Sequence, residues 1–318
     1  MKNNALFQRV TTAYDLDRLQ QCRIISVGCG GAASFLEDMA RCGVGEFVLI
    51  DPDSVEEPNI ATQQTYIKDI GRPKVECLAE RIRGINPDAY VETYQKSLDE
   101  IDDQAFAHLT RWSLIFAKWK GPCVPELTLL CGFTDNFYSQ ARIGRLSLKF
   151  SNPSLCAQLY QFGQAAEISF TYPGVTPACQ RCILSPRYTA YLERGYQNTA
   201  TSDGTPIFAT ERLNALKGMI AMALLHHGTN HPRWGGMLKR IGNRTLVQIR
   251  MHPDTPLSVF HNVFANADTK RMFFDEAVWL PQKANPDCPD CGDSNPKWTF
   301  ADTRVMPAQT PRNQEQGT

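Results

Sequence analysis

Neither sign of charge is in excess in this chain of 318 residues, where 33 basic residues balance 33 acidic ones. Without a net field there is no global pull toward nucleic acid or an anionic membrane, and neither is expected as a partner. Long apolar runs are also missing. The longest, Gly218 to Leu225, is too short to span a bilayer, and MKNNALFQRV lacks the apolar core of an export signal, so a cytosolic protein is expected. No RNA-binding signature accompanies Trp234, Trp279 and Trp298, which read as packing residues. What is present is a 42% hydrophobic composition, enough to bury a large α/β core in one or two domains. The 11 cysteines are odd in number and include two Cys-x-x-Cys pairs, which favours reduced thiols, some of them metal-bound, over a disulfide framework.

The run from Arg23 to Lys74 is the most informative segment. A β-branched strand, Arg23 to Val27, enters Gly28, Gly30 and Gly31, and from Ser34 a helix places Phe35, Leu36, Met39 and Ala40 on one face. Such glycines let backbone amides approach a phosphate and aim a helix N-terminus at it; Asp51 then ends the next strand, where a ribose would lie. These residues by themselves specify a dinucleotide or nucleotide site. The pattern continues with a helix over Lys74 to Asn86, a strand over Ala89 to Tyr94, and two strand-like stretches at Leu114 to Ala117 and Leu127 to Gly132. Later come a helix from Phe137 to Phe150, strands at Leu155 to Tyr160 and Ala166 to Tyr172, and a half-buried helix from Phe208 to His227. Strands are also expected at Thr245 to Arg250 and Trp279-Leu280. Residues about 5 to 20 read as a short helix leading into the first strand. His226, His227 and His231 follow the long helix directly and read as its terminating turn.

The order Asp51, Asp53, Asn59, Gln63 and Lys74 (in DIGRPK), then Thr134-Asp135-Asn136, then Cys179-x-x-Cys182 and Cys288-x-x-Cys291, resembles the ThiF/MoeB/HesA family, relatives of ubiquitin-activating enzymes. The resemblance covers most of the chain. It implies an α/β fold with a Rossmann-like, mainly parallel sheet and flanking helices, and a single adenylation domain over 1–300 in which the strand-like stretch at Leu114 to Ala117 is an insertion. The polar, proline-bearing composition of 301–318 predicts a mobile tail. The resemblance also implies ATP and magnesium as ligands. Gly28, Gly30 and Gly31 would line the phosphates, Asp51 hold the ribose, Asn59 and Lys74 contact the phosphates, and Asp135 bind the metal, with Asp53, Gln63 and Asn136 beside them. Arg9 would reach across a homodimer to the partner's ATP, with Arg72 as a second candidate. The substrate would be the C-terminal carboxylate of a small ubiquitin-like, β-grasp protein, or of a peptide, with a conjugating enzyme as a further partner. The two cysteine pairs, flanked by Pro177, Pro289 and Gly292, fit a closed tetrahedral zinc site that staples the C-terminal region to the sheet.

The chain departs from that pattern in three places. Thr62 stands where family members commonly carry an arginine, which removes a planar cationic donor. Ala33 replaces the third loop glycine, a tolerated change. The crossover segment after Cys182 has no cysteine: Asn198 falls near the expected thiol, with Thr199, Thr201, Ser202 and Thr205 close by, so an oxyester at Thr201 or Ser202 is the covalent alternative to direct transfer. Two rival readings remain: a nicotinamide-dependent oxidoreductase, supported by the glycine loop and Asp51, and a degenerate ATP-binding scaffold, motivated by Thr62 and the missing thiol.

Overall fold

The computed structural model describes residues 5–110, 127–196, 204–252, 276–295 and 298–306. The expected strand at Leu114 to Ala117 and the candidates Asn198, Thr199, Thr201 and Ser202 lie outside them.

The described chain alternates strands and helices. It runs α1 (Leu16–Gln20), β1 (Cys22–Val27), α2 (Ala33–Arg41), β2 (Glu46–Ile50), α3 (Asn59–Thr62), α4 (Lys74–Ile85), β3 (Tyr90–Tyr94), α5 (Asp103–Thr110), β4 (Leu127–Gly132), α6 (Phe137–Phe150) and β5 (Ser154–Tyr160). It continues through β6 (Ala165–Thr171), α7 (Gln180–Ile183), α8 (Ser185–Tyr188), α9 (Ile207–Leu225), α10 (Met237–Ile241), β7 (Leu246–Arg250) and β8 (Glu276–Leu280). The strands form one sheet in the order β3-β2-β1-β4-β5-β6-β7-β8, with β3 to β5 parallel and β6 to β8 added antiparallel. This is the expected α/β class with a mainly parallel sheet.

Every residue of β1 and β4 is buried, as expected of parallel strands covered on both faces. Ile24, Phe47, Leu49 and Leu129 turn toward α2, α4 and α9, while Ile25, Val48, Ile50 and Leu130 turn toward α5 and α6. Each such side chain contributes about 2 kcal/mol of burial, so both helical layers are held to the sheet by its alternation. The parallel β1–β2 register, Val27 opposite Ile50, brings the glycine loop and Asp51 to the same sheet edge.

Two expectations need correction. The N-terminal helix is confined to α1; residues 5–13 form turns, because Asp15 starts a separate helix by accepting the Arg18 N–H at 3.1 Å. The tail expected to be mobile from 301 is instead docked through Met306, with Thr303 and Val305 buried. Its anchor is a polar knot. Asp103 accepts from Thr303 Oγ1 at 2.6 Å, Thr303 N at 3.1 Å, Lys149 Nζ at 2.8 Å and Arg142 Nη2 at 3.1 Å. Arg142 is fully buried and also donates to the carbonyls of Leu98 and Ile101. Burial works against the Asp103 charge, but the Lys149, Thr303 and Arg142 hydrogen bonds outweigh it and hold the carboxyl below its ordinary 3.8.

A depressed carboxyl pKa stabilises the fold above the unfolded value and loses that contribution as pH falls through the folded one. Asp103→Ala leaves the Arg142 guanidinium buried without its carboxylate and is expected to cost about 3 kcal/mol in urea denaturation. Asp99→Ala, which removes an exposed carboxylate 3.7 Å from Arg142, is expected to cost under about 1 kcal/mol. Equal midpoints for the two variants would contradict the knot.

Candidate active site

The C-terminal ends of β1, β2, β4 and β5 open into a cleft of about 1030 Å³. Its floor is the glycine loop. Gly28 adopts φ +91°, and a Cβ there would lie 2.6 Å from the Phe133 carbonyl oxygen, so neither the conformation nor the space admits a side chain. A Cβ on Gly30 would press into the Gln63 amide, which places Gln63 against the loop, while one on Gly31 would make ordinary contact with Thr210 at 3.6 Å. Asp51 is buried and holds the loop from below: Oδ2 accepts from Cys29 N at 2.7 Å and Oδ1 from Asp53 N at 2.9 Å. Burial raises its pKa, and the two amide hydrogen bonds oppose that rise. A carboxylate can accept more than two hydrogen bonds, so capacity for a hydroxyl pair remains.

Lys74 opens α4 with Nζ 3.0 Å from Asp53 Oδ2, and both residues line the cleft. Asn59 and Thr62 face it from α3; Asn59 Oδ1 accepts from Glu56 N at 2.9 Å. Across the floor, β4 delivers Phe133, Thr134, Asp135 and Asn136. Asn136 caps α6 by accepting from Ser139 N at 3.1 Å, whereas Asp135 is exposed at the rim, its Oδ1 3.5 Å from Thr134 Oγ1. The expected set Gly28, Gly30, Gly31, Asp51, Asp53, Asn59, Gln63, Lys74, Asp135 and Asn136 is therefore brought to one cleft. Arg9 is not among its lining residues and lies exposed on the N-terminal turns. Arg72 is tied at the surface to Asp69 and Glu80, outside the cleft.

Three lining residues escaped sequence reasoning. Arg187 on α8 donates to Tyr160 Oη at the β5 end and to Glu167 on β6, among Tyr191, Tyr196 and Phe162. Asn214 and Lys217 project from α9 toward the glycine loop, where Asn214 Nδ2 donates to Gly31 O at 2.8 Å and Ser34 Oγ at 2.6 Å. Lys217 is buried against Phe35 and Phe133, and burial lowers its pKa from 10.5 to about 7. Between those values the unfolded chain holds a proton that the folded lysine releases, so Lys217 disfavours folding at neutral pH relative to high pH. A readable signal existed: Lys217 lies four residues after Leu213 and three before Ile220, inside the apolar stripe of α9. The histidines are structural, as expected of a helix end. His226 caps α9, and its Nε2 accepts the Asp15 N–H at 3.0 Å.

The four-cysteine cluster lies apart from the cleft. Sγ atoms of Cys179, Cys182, Cys288 and Cys291 all fall within 4.8 Å of one another, with separations of 3.5 Å for Cys182–Cys291 and 3.7 Å for both Cys179–Cys182 and Cys179–Cys288. Thiolates about 2.3 Å from a tetrahedral zinc sit roughly 3.8 Å apart, so the four could hold that ion in a closed set with no place for a catalytic water. Leu148, Trp298 and Phe300 cover the cluster. Asp290 ties it to two helices, receiving Arg145 at 3.2 Å and Arg181 at 3.3 Å.

A model of the ThiF family matches residues 1–233. The chain belongs to the ThiF family. Among individual relatives of this ThiF protein, ubiquitin-like modifier-activating enzyme 5 of Drosophila willistoni is 30% identical over 177 residues, 55% of this chain and 42% of that one. The SAMP-activating enzyme E1 of Haloferax volcanii is 40% identical over 85 residues, 26% of this chain and 32% of that one. The chain thus spans less than half the length of these curated relatives. E. coli MccB solved with succinimide superposes with a TM-score of 0.61 over 91% of this chain and 75% of MccB, and MccB solved with ATP with 0.56 over 87% and 68%. At 15% and 16% identity these superpositions speak to the shared fold. Among the described residues no helix is long and apolar enough to cross a membrane.

One zinc per chain is expected by metal analysis. Cys182→Ser or Cys291→Ser should lower the melting temperature while leaving nucleotide affinity within about twofold, because the cluster supports the fold from outside the cleft. A metal-free protein whose melting ignores chelator would remove the zinc.

Proposed function

We propose that this chain adenylates the C-terminal carboxylate of a small ubiquitin-like protein. The observation that carries the proposal is one cleft holding an amide-lined glycine loop, a buried ribose-type carboxylate at Asp51, the cation Lys74 and the exposed carboxylate Asp135. Membership of the ThiF family and the similarity to a ubiquitin-like modifier-activating enzyme and a SAMP-activating enzyme support the substrate class. MccB, of like fold, has been solved with ATP, which supports ATP as the nucleotide. A peptide bearing the same free carboxylate would satisfy the cleft equally.

In this reading the glycine-loop amides, Asn59 and Lys74 take the triphosphate, Lys74 exchanging its Asp53 partner for phosphate oxygens, and Asp51 takes the ribose. Asp135 and Thr134 offer the oxygen donors that magnesium prefers; when bound, that ion would screen the charge between carboxylate and triphosphate. A carboxylate oxygen of the substrate attacks the α-phosphorus, the bond to the β-phosphate oxygen breaks, and pyrophosphate departs with its electron pair. No proton moves, so the residues needed are cations and donors rather than a base. A nicotinamide enzyme would leave Lys74, Asp135 and the cysteine cluster without roles.

Lys74→Ala and Asp135→Ala should each lower partner-dependent ATP–pyrophosphate exchange by at least about 100-fold without unfolding the protein. The partners to supply are small ubiquitin-like proteins and, separately, carboxylate-terminated peptides. Near-normal exchange in both variants would remove the proposed site, and exchange with peptides alone would reassign the substrate. Among the described residues no cysteine lines the cleft, so the same incubations should give no reductant-sensitive adduct on electrophoresis. A base-labile adduct lost in Thr201→Ala or Ser202→Ala would instead show an oxyester.

Arg9, exposed and outside its own chain's cleft, is placed by this proposal in the cleft of a second copy, replacing the charge missing at Thr62. Arg9→Ala and Asp135→Ala homodimers should both be inactive and their verified heterodimer should recover about half the activity. Absence of recovery would put Arg9 back on an ordinary surface.

A further inference from the structure

Lys217 has a placement that nucleotide binding does not explain. It sits in the middle of α9, is 3% exposed, and still lines the cleft. Its Nζ lies 3.9 Å from the centroid of the Phe133 ring and 5.3 Å from that of Phe35, and those two rings meet edge to face at 5.2 Å. Nζ donates no hydrogen bond among the described residues. The aromatic faces attract its charge but leave its donors unused. One turn earlier, Asn214 uses its amide nitrogen on Gly31 and Ser34, while its Oδ1 is buried and has no partner among the described residues. A buried cation with unused donors beside an unpartnered amide oxygen is a site built for a ligand that brings negative charge and a polar edge.

Its position along the cleft tells which anion. The sheet order β2-β1-β4-β5 sets Asp51, Asp53 and Lys74 at one end, then the glycine loop, then Phe133, then Tyr160 and Arg187. The first two groups suit ribose and triphosphate. Lys217 stands beyond them, against the β4 end, with α9 packed over β4 and β5. This is the junction between the nucleotide half of the cleft and the aromatic half.

We propose that Lys217, with Asn214 beside it, is a catalytic residue that binds the substrate's attacking carboxylate at that junction and holds it against the α-phosphorus. The proposal rests on the adenylation reading above. Its ammonium lessens the repulsion between two anions that must meet, and one carboxylate oxygen remains free to attack. After the P–O bond forms and pyrophosphate leaves, the same ammonium faces the acyl carbonyl oxygen of the adenylate. This supplies near the reacting atoms part of the cationic charge absent at Thr62. A lysine whose proton is readily lost in the empty cleft regains it when an anion arrives.

The test uses two probes: AMPCPP, which carries only the nucleotide, and glycyl-sulfamoyl-adenosine, an adenylate mimic with the smallest acyl group. Lys217→Met should weaken the acyl probe by roughly 10- to 100-fold and AMPCPP by less than about threefold, with Lys217→Arg recovering part of the loss. On the wild-type chain, the preference for glycyl-sulfamoyl-adenosine over sulfamoyl-adenosine should shrink from pH 6 to pH 9 as the ammonium is lost. The other titratable groups facing it are Cys131 on β4, whose thiol burial pushes well above its ordinary range, and Glu211 on α9; α2 and the β4–α6 turn present the Phe35 and Phe133 rings. Equal losses for both probes, no loss for either, or a pH-independent preference would overturn Lys217 and leave adenylation standing. A wild-type chain that binds neither probe would overturn the adenylation reading and this inference together.

Discussion

Asp51 commits one carboxylate oxygen to the Cys29 N–H at 2.7 Å and the other to the Asp53 N–H at 2.9 Å, and so ties the loop that leaves β1 to the chain that leaves β2. Much of the cleft depends on that tie. With the loop held, Gly28 can pass against the Phe133 carbonyl and Gly30 against Gln63, and backbone amides rather than side chains form the floor. The same chain segment then turns through Asp53 to meet Lys74, so the buried carboxylate Asp51 and the cation Lys74 are set by one short stretch. The cost is a carboxylate in low dielectric, offset by two charge-assisted hydrogen bonds that also fix the loop's conformation.

Support for the far wall comes through α6. This helix starts at the rim beside Asp135 and Asn136, and its buried Arg142 grips the carbonyls of Leu98 and Ile101, the segment that forms the cleft wall after β3. One turn of the helix further on, Arg145 reaches Asp290 within the second cysteine pair and the Arg304 carbonyl of the docked tail. The cysteine cluster and the tail thus brace the wall from outside without touching the cleft. A metal in that cluster would act through the position of α6.

Charge in the cleft is distributed unevenly. Lys74 is paired with Asp53 at one end, Thr62 contributes no charge, and Arg187 is engaged by Glu167 and Tyr160 at the opposite end. Lys217 stands between them, held by ring faces instead of a carboxylate. A cation kept by aromatic faces retains its donors for a ligand, whereas one paired to a carboxylate must first give up its partner.

Much of the fold and one end of the site were legible in the residues themselves. Glycines at 28, 30 and 31 between a β-branched strand and an apolar-faced helix can serve few other purposes, and Asp51, Lys74 and Asp135 are local to the elements that present them. The cysteine pairs suggested their own meeting because two pairs at that spacing can chelate one tetrahedral ion. Local pattern could not bring residue 217 to residue 133, or residue 303 to residue 103. Lys217 was visible as a charge inside an apolar stripe, but its meaning depends on which strand α9 covers. The tail looked mobile because its composition is polar; its described residues, 301–306, pack because Thr303 completes the hydrogen bonds of a carboxylate that also neutralises a buried arginine. Sequence determined the strand, glycine loop and helix that form the cleft floor, since backbone geometry and short-range spacing encode them. Only the tertiary structure decided where the remaining charges lie, because burial and pairing arise between segments far apart in the chain.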